Sequence, residues 1–218
     1  MSKIVAIIAA GGSGNRMGKP KQLLPINGKP MLEWTISAFK KVNNIDEIIV
    51  ATIEDNFKFV EKLGCYTAAA GQERQDSIRN ALDQISDDTE IVLVHDGARP
   101  LVTPKIIRRS ISECKKSEAV VVGVPVKDTI KVVNNEWEIV DTLDRGVLWA
   151  AQTPQVFKYE TLKQAYTKAT IKATDDSRLV ENLGVHVQMI LGSYENIKVT
   201  TPEDLIIAEE LLKGRIKN

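Results

Sequence analysis

Lys3-Ile-Val-Ala-Ile-Ile-Ala9 runs directly into Ala10-Gly-Gly-Ser-Gly-Asn-Arg-Met-Gly-Lys-Pro-Lys-Gln22. An unbroken apolar run of this length, closed by glycines, predicts a strand buried on both faces, the kind found in parallel sheets. The glycine loop behind it presents bare backbone N–H groups to an anion. Arg16, Lys19 and Lys21 add three cations within six residues. Donors and cations together suit a triphosphate better than an uncharged ligand. Two familiar phosphate loops are excluded. A dinucleotide fingerprint needs a third glycine where Met17 stands, and a P-loop needs one more residue between Gly14 and Gly18 and a hydroxyl where Pro20 stands. Pro20 also disfavours a helix at Lys19. The segment therefore reads as a basic loop wrapped over phosphates.

Outward from this stretch, apolar strands alternate with helical patterns. Strands are expected at Lys3–Ala9, Glu47–Thr52, Cys65–Ala69, Glu90–His95, Ala119–Val124 and Val185–Leu191. Helices are expected at Pro30–Lys41, Asn56–Leu63, Arg74–Ile85, from Thr103-Pro104 onward, Tyr159–Lys168, Asp175–Leu183 and from Thr201-Pro202 onward. Thr103-Pro104 and Thr201-Pro202 each pair an N-cap residue with a first-turn proline. The pattern is α/β: a single Rossmann-like, mostly parallel sheet flanked by helices, forming one domain over 1–218. Ligands of such sheets bind beyond the carboxyl ends of the strands. That rim collects the Ala10–Lys21 loop, Gly71–Ser77 and Asp96–Pro100.

Val126–Thr142 breaks the rhythm. Lys127–Val133 and Trp137–Thr142 alternate around the turn signal Asn134-Asn135, predicting a hairpin inserted at about 126–147. A two-stranded hairpin is marginal alone, so it must rest on its own domain or on a second subunit.

Composition narrows the function. The chain has 218 residues, with 29 Lys plus Arg against 29 Asp plus Glu, so no bulk charge argues for nucleic acid or a membrane surface. No apolar run approaches a membrane span. Cys65 and Cys114 stand apart without a secretory segment, which reads as reduced thiols in a cytoplasmic protein.

Several residues carry chemistry. Arg16 and Lys21 sit where a triphosphate crosses the strand ends and would neutralise charge on an α-phosphate and its leaving group. Asp96 ends a buried strand facing those phosphates, a natural ligand for Mg²⁺ or another divalent cation. Arg99 either positions a phosphate or pairs with Asp96. His95 completes the strand rather than serving as acid or base, and His186 is structural. Gly71 lets a base approach the backbone, and Ser77 offers a hydroxyl to its edge. By pattern alone Thr129, Lys131, Arg145, Thr153 and Lys198 are an ordinary hydrophilic hairpin and its neighbours.

The motifs also carry a resemblance. The Ala10–Gln22 loop is similar to that of nucleotidyltransferases that activate sugars and polyols. Gly71-x-x-Arg74-x-Asp76-Ser77, Val94-His-Asp-Gly-Ala-Arg-Pro100, Val124-Pro-Val-Lys-Asp-Thr129, Leu143-Asp-Arg145, Trp149-Ala-Ala-Gln-Thr-Pro-Gln-Val-Phe157, Thr174-Asp-Asp176 and Asn196-Ile-Lys-Val-Thr-Thr-Pro-Glu-Asp204 follow in order. The set resembles the 2-C-methyl-D-erythritol 4-phosphate cytidylyltransferases of non-mevalonate isoprenoid synthesis. The resemblance implies that Ala10, Gly11, Gly12 and Gly14 cradle CTP, with Arg16 and Lys21 on its phosphates. It implies that Gly71 and Ser77 read cytosine, and that Asp96 faces the metal. Thr129, Arg145, Thr153, Thr174 and Lys198 would hold the polyol phosphate. The hairpin would be an arm across a homodimer, so that Thr129 and Arg145 serve the neighbouring subunit. The loop here is Ala-Ala-Gly-Gly-Ser-Gly before Asn-Arg-Met, where many members have one residue fewer. Ribitol-5-phosphate cytidylyltransferases share the double-glycine loop and the Gln-Thr-Pro-Gln motif. Guanylyl or uridylyl transfer, or a non-catalytic nucleotide sensor, are the more distant readings.

Overall fold

The computed structural model describes residues 3–12 and 22–216. Its centre is a seven-stranded sheet. β1 (Lys3–Ala9), β4 (Glu47–Thr52), β5 (Tyr66–Ala69), β6 (Thr89–Asp96), β7 (Ala119–Pro125) and β11 (Val187–Leu191) fall where apolar runs predict them. β2 (Pro25–Ile26) and β3 (Lys29–Pro30) form a small separate ribbon. The strand order is β11-β7-β10-β6-β1-β4-β5.

The strand the sequence reading lacks is β10 (Trp149–Lys158), which lies between β6 and β7 and runs antiparallel to both. Pro154 and the polar run Gln152-Thr153 argue against a central strand. The chain accommodates them with a register break between Ala151 and Gln155 against β7.

β1 shows why its sequence is apolar throughout. Ile4, Ala6 and Ile8 join the core on one side of the sheet, with Leu32, Ile36 and Phe39 of α1 (Met31–Lys40) and Ile107 and Ile111 of α4 (Pro104–Cys114). Val5 and Ile7 join the other, with Ile78 and Ala81 of α3 (Arg74–Leu82) and Leu162 and Ala165 of α5 (Tyr159–Thr167). Side chains alternate across a strand, so covering both faces leaves no position for a polar residue. Burying each of these isoleucines contributes about 1.5–3 kcal/mol. The remaining helices are α2 (Phe57–Lys62), α6 (Asp176–Glu181) and α7 (Pro202–Ile216).

The predicted caps form. Thr103 Oγ1 accepts from Ile106 N at 3.3 Å, and at the start of α7 Asp204 Oδ2 accepts from the N–H groups of Thr200 and Thr201 at 2.8 and 2.9 Å.

The hairpin is present but shorter than its alternation predicts: β8 (Lys131–Val133) pairs with β9 (Ile139–Thr142). Asn134 Oδ1 closes the turn by accepting from Glu136 N and Glu138 N at 3.0 and 2.9 Å. From Lys131 to Val147 every residue except Asn134 is exposed. The arm therefore does not rest on its own domain, and Trp137, Ile139, Val140 and Val147 stand 60–86% accessible.

Candidate active site

The carboxyl ends of β1, β5 and β6 meet as the sequence predicts. Gly97 N donates to Ala9 O at 2.8 Å, Ala10 N to Ala51 O at 2.7 Å, and Ala70 N to Thr52 O at 2.9 Å. The loops are pressed so closely that a Cβ on Gly11 would lie 2.4 Å from Ala70 Cβ, so glycine is required there by space. At Gly71 a Cβ would lie 2.2 Å from Asp76 Cβ. Ala10 is buried, and both its backbone groups are committed to β4: its carbonyl accepts from Thr52 Oγ1 at 3.2 Å. Ala10 can only form the floor. The N–H groups of Gly11 and Gly12 have no partner among the described residues, as an anion cradle requires.

Gln22, itself buried, donates to Gly12 O at 2.5 Å. Gly12 and Gln22, the described residues on either side of the basic segment, thus meet at one point of the rim. Gly14, Arg16 and Lys21, assigned to the triphosphate from sequence, lie outside the described residues.

Ser77 is buried at the start of α3. Its hydroxyl accepts from Gly71 N at 2.9 Å and donates to Glu73 O at 3.1 Å. Its proton is committed, and it keeps one lone pair for an amine of a base.

The centre of the site is Asp96. Its side chain is 9% exposed, and its carboxylate takes Arg74 Nε at 3.2 Å, Arg99 Nε at 3.3 Å and Lys198 Nζ at 3.1 Å. Burial would raise the pKa of this carboxyl. Arg74, Lys198 and Arg99 outweigh burial and hold it well below the usual carboxylate range. Arg99 therefore does pair with Asp96, and its Nη1 also donates to Asn196 O at 2.8 Å. These groups line a pocket of about 240 Å³ together with Gln152, Thr153, Gln155, Thr174 and Asp175. Lys198, 40% exposed, is the most accessible of the three cations.

The expected role of Asp96 as a metal ligand does not fit this geometry. A divalent cation at its oxygens would sit against three positive charges already within 3.3 Å. What Asp96 does is draw three cations to one point.

Thr153 also differs from expectation. It is buried, and its Oγ1 accepts from Asp96 N at 3.0 Å while facing His95 Nδ1 at 3.0 Å. Burial pushes His95 down to about 3, so the ring is neutral. Its Nδ1 then accepts the threonine proton, and Nε2 donates to Arg99 O at 3.3 Å. A phosphate only accepts hydrogen bonds, and the Thr153 proton is already taken. Thr153 locks the end of β6 in place of holding substrate.

Thr129 and Arg145 are exposed on the arm, away from the residues lining this pocket. Arg145 Nη1 donates to Lys127 O at 2.6 Å.

Arg74 and Asp176 stand in the sequence motifs with no task assigned to them. Arg74 Nη2 reaches Asp176 Oδ2 at 2.7 Å, and Tyr166 Oη donates to Asp176 Oδ1 at 2.5 Å. Arg74 thereby ties the nucleotide-side helix α3 to Asp96 and to α6, which follows Thr174. Gln155 on β10, 1% exposed, accepts from Asp176 N and Ser177 N at 3.1 and 3.0 Å and donates to Asp175 at 2.9 Å. The available signal was polarity out of place: glutamines, asparagine and a carboxylate inside otherwise apolar stretches announce buried networks. Neither cysteine is a nucleophile. Burial raises the Cys65 thiol and pushes Cys114 up to about 12.

Known proteins resemble this chain in sequence and in fold. The family model described as 2-C-methyl-D-erythritol 4-phosphate cytidylyltransferase matches residues 4–214. A protein of that name from Alkaliphilus metalliredigens is 46% identical over 228 residues, covering 98% of this chain and 95% of the relative. One from Clostridioides difficile is 47% identical, covering 94% and 92%. Among solved structures, the 4-diphosphocytidyl-2C-methyl-D-erythritol synthase of Anaerococcus prevotii superposes with a TM-score of 0.86 at 30% identity, covering 97% of this chain and 99% of that one. The 2-C-methyl-D-erythritol 4-phosphate cytidylyltransferase of Thermus thermophilus does so with 0.83 at 31% identity, covering 95% and 98%.

Proposed function

The chain belongs to the 2-C-methyl-D-erythritol 4-phosphate cytidylyltransferase family, and from that membership we infer that it transfers the cytidylyl group of CTP to methylerythritol phosphate, a step of isoprenoid precursor synthesis. The match over nearly the whole chain is the observation that carries this reading.

An oxygen of the acceptor's phosphate attacks the α-phosphorus of CTP. The bond from that phosphorus to the β-phosphate bridge breaks, pyrophosphate leaves, and the two phosphates become one diphosphate. The nucleophile needs no base, because a phosphate monoester loses its second proton near a pKa of about 6. The neutral, doubly hydrogen-bonded His95 agrees with that. The obstacle is repulsion between two anions, so the task is positioning and neutralisation. Lys198 and Arg99, collected by Asp96, supply positive charge on the acceptor side. Gly11 and Gly12 offer backbone donors to the triphosphate, Arg16 and Lys21 add their charges to it, and Ser77 and Gly71 flank the base. Thr174 opens the acceptor pocket. We propose that Mg²⁺ would enter with the triphosphate and supply further neutralisation of its charge.

The exposed apolar arm is proposed to complete a homodimer, carrying Thr129 and Arg145 to the neighbouring site. No described helix is long and apolar enough to cross a membrane, and we propose that the reaction takes place in the cytoplasm.

Purified protein incubated with CTP and either methylerythritol phosphate or ribitol 5-phosphate tests the reading. Pyrophosphate release with the first alone is expected. Release only with ribitol 5-phosphate, or with neither, overturns it.

A further inference from the structure

Tyr194 bridges two parts of the molecule whose tasks differ. It sits in the segment Ser193–Val199 that carries Lys198. That segment is stapled to the body: Gln152 Nε2 donates to Ser193 O at 2.8 Å, Asn196 Nδ2 to Thr153 O at 2.9 Å, Arg99 Nη1 to Asn196 O at 2.8 Å, and Val199 N to Ala98 O at 2.8 Å. Tyr194 points the other way, toward the root of the arm. Its hydroxyl donates to Pro125 O at 2.8 Å, and the Lys127 ammonium lies 3.6 Å from its ring centroid.

Pro125 is the last residue of β7, so these contacts fall where the arm leaves the sheet. The hydroxyl of Tyr194 takes a backbone carbonyl while its ring face meets a side chain two residues further on, so one residue engages both. The opposing strand is tied at the same level, with Val126 N donating to Leu148 O at 3.0 Å and Arg145 Nη1 to Lys127 O at 2.6 Å. Past this root the arm is a bare two-stranded ribbon, and any angular freedom at its base is multiplied at its tip.

We propose that Tyr194, with Lys127, is a positioning residue that sets the angle of the arm from the same loop that holds Lys198. Its consequence for turnover rests on the reading that Thr129 and Arg145 serve a neighbouring subunit's polyol phosphate. Through this strut a subunit's own lysine, which lines its own pocket, and the arm it lends to its neighbour's site are held to a common frame. Tyr194 does not line the Asp96 pocket.

The test compares Tyr194→Ala and Tyr194→Phe with the unaltered enzyme. Amide hydrogen exchange at Val126 and Leu148 is expected to accelerate roughly tenfold in the alanine variant, through loss of one hydrogen bond and one cation–π contact. The phenylalanine variant keeps the ring under Lys127 and is expected to fall between. In steady state the alanine variant is expected to raise KM for methylerythritol phosphate roughly fivefold while KM for CTP holds, with phenylalanine again giving partial rescue. Unchanged exchange at the arm root, or equal rises in both KM values, overturns the proposal. If the unaltered enzyme does not turn over methylerythritol phosphate, the family-based reading fails, and the exchange measurement still decides the strut.

Discussion

Arg74→Met removes the guanidinium that bridges Asp96 and Asp176, and the structure indicates how the loss divides. Asp96 retains Arg99 and Lys198. Asp176, 1% exposed, retains only the Tyr166 hydroxyl among its side-chain partners in the described residues. Stranding a buried charge costs about 3–5 kcal/mol. Arg74 keeps 26% of its side chain in water, and such partial solvation moves the expected loss to the low end, about 3 kcal/mol. For a chain of this size that corresponds to a fall of roughly 6–12 °C in Tm. Urea unfolding of the wild type, Arg74→Met, Asp176→Asn and the double variant measures it. The double variant no longer contains the stranded carboxylate, so it is expected to recover about 2 kcal/mol relative to the sum of the singles. If Arg74→Met costs under about 0.5 kcal/mol, or the two losses simply add, the bridge does not hold α3 to α6 and the reasoning fails.

Two further outcomes are expected. His95 titrates at about 3 when folded, against an ordinary 6.5. The unfolded chain therefore takes the proton first as pH falls, and the contribution is complete above 6.5 and lost progressively toward 3. Between pH 7 and 4.5 this amounts to about 2–3 kcal/mol for one proton, and a His95→Asn variant should show a flatter stability profile there; an equal slope in both proteins counts against a buried neutral ring. Lys198→Ala and Lys21→Ala should each lower kcat by roughly 10²–10³ with little change in melting temperature; single-turnover rates matching the wild type would remove them from the neutralisation of charge.

Much of this molecule is legible in its sequence because much of it is decided locally. Apolar runs at 4–9, 91–94 and 119–124 have the length and uniformity that only a strand covered on both faces requires. Thr103-Pro104 and Thr201-Pro202 start helices through contacts only a few residues long. Gly11 and Gly71 fall on the rim that the strand pattern predicts, while the crowding against Ala70 and Asp76 that requires glycine there is decided by the fold.

What the tertiary structure alone decided is how distant polar groups are shared. Pro154 and its polar neighbours disguise β10, and only pairing with β6 and β7 on either side makes that segment a central strand. Thr153 reads as a free hydroxyl until His95, 58 positions away, is seen to take its proton. Asp96 reads as a metal ligand until Lys198 and Arg74 arrive, and Arg74 acquires its second carboxylate from a residue 102 positions away. Hydrogen-bond capacity and charge are finite at each atom. Local pattern tells which groups a chain owns, and folding determines which of them still have something to offer a substrate.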